Sequence, residues 1–103
     1  MYKHLKPGVA YSKDGITLDL LEGLLGAAHV YGQQGYDFVV TSLGDGIHKE
    51  NSLHYVGRAA DLRVRHIPVE KRQALLRAIR AALTPQYDVI LESDHIHLEY
   101  DPK

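Results

Sequence analysis

Seven histidines occur in this sequence, and four of them, His48, His54, His95 and His97, fall in two short segments. Imidazole is the commonest metal ligand and a general acid/base poised near neutral pH. Catalytic zinc takes three protein ligands from His and Asp/Glu and leaves one position for a water, whose pKa falls to about 7 on the metal. His54 and Asp61 stand seven positions apart with Gly57 between them. That spacing does not suit a helix face, but a tight turn into a strand can bring both side chains to one point. His97 offers a third ligand from the run His95-Ile96-His97-Leu98-Glu99-Tyr100. A carboxylate near the metal-bound water is needed to shuttle its proton, and Asp94 stands three residues before His97. Taken singly, each of these residues also reads as an ordinary solvated group: His48 and Ser52 as turn residues, His95 as a strand residue facing water.

Such a set needs strands to hold it. In the last segment Ile96, Leu98 and Tyr100 line one face, and His95, His97 and Glu99 line the other. Ala59 to Val64 alternates in the same way, with Ala60, Leu62 and Val64 on one side and Asp61 and Arg63 on the other. The β-branched run Phe38-Val39-Val40-Thr41 and the segment from Tyr87 to Leu91 predict two further strands. A short strand is expected around Val9-Ala10-Tyr11, in an irregular start marked by the turn signals Pro7-Gly8 and Asp14-Gly15. Thr17 is placed to cap a first helix, with Asp19 in its first turn, a stripe of Leu21, Leu24, Leu25 and Ala28, and a stop at Gly32. Gly23 and Gly26 weaken that helix intrinsically, so packing must hold it. Pro68 suits the first turn of a second helix whose stripe is Val69, Leu75, Leu76, Ile79 and Leu83, ended by Thr84-Pro85. A glycine-containing loop runs from Leu43 to about Gly57. The pattern predicts an α+β fold: a small antiparallel sheet with two helices packed on one face and a metal site on the other.

The bulk numbers fit a single domain over residues 1–103. With a formal net charge of −1 there is no global basic field to attract nucleic acid. The basic residues Arg58, Arg63, Arg65, Lys71, Arg72, Arg77 and Arg80 have no aromatic interleaving and read as a solvated face. The chain has no cysteine, which removes disulfides and thiolate zinc sites together. No stretch approaches the roughly 20 apolar residues of a membrane span, and Met1 to Pro7 lacks the apolar run of a signal peptide. A monomer made in the cytoplasm is expected.

The segment Ser52-Leu-His54-Tyr-Val-Gly57-Arg-Ala59-Ala-Asp61 resembles the pattern Ser-x-His-x-x-Gly-x-Ala-x-Asp of the M15 peptidases. These are zinc D-Ala-D-Ala carboxypeptidases and dipeptidases, with phage L-alanyl-D-glutamate endolysins, and they share a fold with hedgehog signalling domains. Their second motif, an acid three residues ahead of a His ligand, is similar to Asp94-His95-Ile96-His97, and Glu92 to Tyr100 resembles the ending of the short phage and prophage members. Val40-Thr41-Ser42 is similar to the strand leading into that family's site, so the resemblance spans about residues 17 to 100. It implies a zinc site of His54, Asp61 and His97, with Asp94 as the catalytic acid/base and Ser52 holding ligands or substrate. It also implies cleavage of an amide bond in a peptidoglycan stem peptide, either L-Ala-D-Glu or a D-Ala terminus. Action at the cell wall would then follow release or incorporation in a virion.

Two departures from the pattern stand out. Asp94 occupies a position where the best-known members carry Glu, which leaves Glu92 as a competing base. The stretch from Leu43 to His48 has no Arg where many members place one against the substrate, and His48, Arg58 and Arg63 are the substitutes on offer. His48 is expected on the substrate side of the site. The competing expectation is a catalytically silent zinc domain, with His95 closing the fourth metal position from the same strand face as His97.

Overall fold

Alternation in the strands and a 3.6-residue apolar period in the helices sort this chain into one sheet and two helices. A computed structural model describes residues 3–7, 16–43 and 58–102. The elements are β1 (Lys3–Leu5), α1 (Leu18–Gln33), β2 (Phe38–Ser42), β3 (Ala59–Arg63), α2 (Val69–Ala82), β4 (Tyr87–Leu91) and β5 (His95–Tyr100). The fold is α+β, and the sheet order is β1-β2-β3-β5-β4. Strands β2 to β5 are antiparallel to their neighbours, whereas β1 joins β2 in parallel at the edge. The expected antiparallel sheet is therefore the greater part of a mixed one. The strand expected around Val9 to Tyr11 lies outside the described residues.

The alternation decides which face is apolar. Ala60, Leu62, Val64, Ile96 and Leu98 are all buried, and they form one cluster with Leu20, Leu24, Ala27 and Tyr31 of α1 and Leu75, Leu76 and Ile79 of α2. Both helices thus pack into the same core against the sheet. Tyr31 is fully buried; its ring meets Phe38 edge-on at 5.1 Å and its hydroxyl donates to the Arg63 carbonyl at 2.9 Å. Burial pushes the Tyr31 phenol well above its ordinary pKa.

Helix α1 begins as its sequence predicts: the Thr17 hydroxyl accepts from the Leu20 N–H at 3.1 Å. Its buried face is rotated from the expected one. Leu24 and Ala28 are buried, but Leu21 and Leu25 are 44% and 60% exposed, and Leu20, Ala27, Val30 and Tyr31 take the core side instead. The bulky Tyr31 in the last turn extends the stripe Leu20–Leu24–Ala27–Tyr31 over the whole helix, which the shorter Leu21–Leu25 pattern does not. The helix also outruns Gly32 and ends at Gln33, because Gly35 and not Gly32 takes the positive φ of 83°.

Helix α2 has Pro68 just before its first turn and ends at Ala82, ahead of Thr84-Pro85. Leu75, Leu76 and Ile79 are buried, whereas Val69 at the open end of the stripe is exposed. No helix among the described residues is long and apolar enough to cross a membrane.

Candidate metal centre

Because strand side chains alternate, burying Leu62 and Ile96 turns Asp61, Arg63, His95, His97 and Glu99 onto the face away from the helices. Register then decides which of them meet. In the β3–β5 pair Asp61 lies directly opposite His97, and Arg63 opposite His95. Directly opposed strand residues are within about 5 Å at Cβ, close enough for polar side chains to bond.

The His97 ring uses both nitrogens. Nδ1 donates to Asp61 Oδ1 at 3.0 Å, and Nε2 donates to Glu99 Oε1 at 2.8 Å. The side chain keeps only 19% of its surface exposed. The bond to Asp61 raises the His97 pKa, burial opposes it, and Glu99 adds a further upward push, so the imidazole titrates at about 9. His95 extends the row: its Nε2 stands 3.6 Å from Asp61 Oδ1, and its Nδ1 donates to Asp94 Oδ1 at 2.7 Å. That hydrogen bond, with the attraction of the His95 ring, holds the Asp94 carboxyl below the usual carboxylate range. Asp94 itself sits in the turn between β4 and β5 with its side chain 78% exposed.

The expected site residues therefore divide. Asp61 and His97 touch, and Asp94 reaches them through His95. His54, His48 and Ser52 lie outside the described residues. Glu99 was not among the expected site residues, although its place on the same strand face as His97 was readable from the alternation. Asp88 of β4 lies opposite Glu99, and Asp101 follows β5. Carboxylate oxygens of Asp88, Glu99 and Asp101 come within 4.8 Å of one another, and this trio could hold a metal ion.

Two imidazoles and several carboxylates gather in this region, donor types that metal ions take. Beside this row, among the described residues, an open cleft of about 330 Å³ is lined by Lys6, Thr41, Ser42, Asp61, Arg63, Arg65, Asp94 and His95. Thr41 reaches the site strand directly, its hydroxyl donating to the Asp61 carbonyl at 3.4 Å. No protein-family model matches the chain, and no curated protein matches it.

Proposed function

We propose that the chain is a zinc-dependent peptidase that hydrolyses an amide bond in peptidoglycan stem peptides. The observation that carries this reading is the cross-strand pairing of Asp61 with His97 beside an open cleft that Asp94 also lines. The two-motif resemblance supports the substrate class and supplies His54 as the third ligand.

His54, Asp61 and His97 would hold the metal. Bound there, zinc supplies Lewis-acid polarisation of a carbonyl and a water acidic enough to lose its proton near neutral pH. Glu99 holds the second nitrogen of His97 and so fixes the ring, as carboxylate partners of metal-bound histidines commonly do. The hydrogen bond from His95 orients the Asp94 carboxylate at the cleft. Because that bond also lowers the Asp94 pKa and weakens it as a base, the proton it takes would have to come from a water already made acidic by the metal. Asp94 lines the cleft, whereas Glu92 does not, which favours Asp94 as the base. One observation favours the silent alternative: His95 approaches Asp61 to 3.6 Å and is placed to close the position that catalysis needs open.

The two readings part on one paired experiment: zinc stoichiometry, and release of new amino groups from a defined stem peptide. The peptidase reading expects one zinc per chain together with amine release that a chelator abolishes. One zinc per chain with no amine release would leave the silent domain.

A further inference from the structure

The arginines that sequence alone reads as one solvated face do different jobs. Arg72 donates from Nε to the Ile67 carbonyl at 2.9 Å, and Arg80 grips the Val89 carbonyl with two nitrogens at 2.9 and 2.6 Å. Those two tie α2 to its neighbours. Arg63, Arg65 and Lys6 have no such role among the described residues. There their side chains pair with neither a carboxylate nor a carbonyl, and all three line the cleft beside the candidate metal centre.

The topology brings them together. Parallel pairing of β1 with β2 sets Leu5 opposite Val40, so Lys6 emerges beside Thr41, and its N–H bonds the Val40 carbonyl. Arg63 projects from β3 on the same face as Asp61, and Arg65 follows in the turn beyond the strand. The acidic end of the cleft is already matched: Asp61 bonds the His97 ring and Asp94 bonds the His95 ring. Positive charge is therefore left over at the other end, beside the threonine and serine hydroxyls of β2.

We infer that Lys6, Arg63 and Arg65 form an anion subsite that binds a free carboxylate of the substrate next to the amide to be cleaved. The inference rests on the peptidase reading for its choice of a peptide carboxylate, since guanidinium forks match carboxylate and phosphate alike. Arg63 and Arg65 are exposed or half-exposed and take no part in the core, so their removal leaves the fold intact.

The test is binding, followed by the backbone amide signals of Lys6, Thr41, Arg63 and Arg65 in the intact protein. The probes are N-acetyl-L-alanyl-D-glutamate, its uncharged diamide, and inorganic phosphate. The dipeptide should shift those signals and bind about tenfold or more tighter than the diamide, as charge-assisted hydrogen bonds predict. The double variant Arg63→Gln/Arg65→Gln should lose about tenfold in dipeptide affinity at unchanged zinc content. Equal affinity for acid and diamide, or an unaffected double variant, would overturn the subsite. Phosphate binding as tightly as the dipeptide would overturn its assignment to a peptide carboxylate. Carboxylate-selective binding by a chain that cleaves nothing would sink the peptidase reading alone; cleavage without that selectivity would sink only the subsite.

Discussion

Both ring nitrogens of His97 donate to carboxylates, so the metal-free chain holds this imidazole as a cation. Its folded pKa of about 9 lies above the ordinary value of 6.5. A raised pKa contributes stability that is fully present below about pH 6.5 and is lost as the pH rises through about 9. We expect the metal-free protein to lose on the order of 2 kcal/mol between those limits. Denaturant unfolding at both pH values checks this, with His97→Gln as the control that should lack the slope. Zinc needs the same nitrogen without its proton, so metal affinity should climb across that window by up to about tenfold per pH unit. Competition with a chromophoric chelator reads that slope, and pH-independent affinity would remove His97 from the ligand set. Asp94 belongs to the same scale. Asp94→Ala should cost about 10²–10⁴ in turnover with zinc retained, while Glu92→Ala should be mild. The reverse pattern would transfer the role to Glu92.

At the level of elements, the glycines of α1 show how packing overrides propensity. A Cβ on Gly23 would stand 2.5 Å from the Tyr87 ring, which is anchored by its hydroxyl bond to the Asp19 carbonyl and packed on Tyr100 at 5.3 Å. At Gly26 the obstacle is a terminal methyl of Leu83 at 2.6 Å, which can swing aside. Gly23→Ala should therefore destabilise by about 1–3 kcal/mol despite the helix propensity gained. Gly26→Ala should be close to neutral, and thermal unfolding of the two variants compares them directly. The strands were more legible in the sequence than this helix. Period-two alternation placed Leu62 and Ile96 inward and Asp61 and His97 outward, because a strand has only two faces. A helix stripe can rotate by one residue and keep an apolar face, which is how Leu21 and Leu25 came to be exposed while Leu20 and Tyr31 are buried. That Asp61 and His97 meet was expected from the motif resemblance, but the β3–β5 register that pairs residues 36 apart was not legible, because the assembled sheet fixes it.

Across the whole molecule, both helices pack on one sheet face and Asp61, His97 and Glu99 lie on the other. On that face an imidazole–carboxylate row from Asp94 to Glu99 borders a cleft whose far side carries Lys6, Arg63 and Arg65. Lys6 arrives there only because the edge strand β1 joins in parallel, a pairing that the short run Lys3–Leu5 does not announce in sequence. The basic stretch from Arg58 to Arg80 likewise reads as one surface in sequence and separates in three dimensions, with Arg72 and Arg80 bound to carbonyls and Arg63 and Arg65 facing the cleft. On the proposed reading, metal, base and cleft make one hydrolytic site, and mass spectrometry of muropeptides after incubation with the zinc-loaded protein is the test. The expected result is a product gained by hydrolysis of a single stem-peptide amide, absent with chelator and absent in the His97→Ala protein. Unchanged muropeptides in the presence of a fully zinc-loaded chain would contradict it.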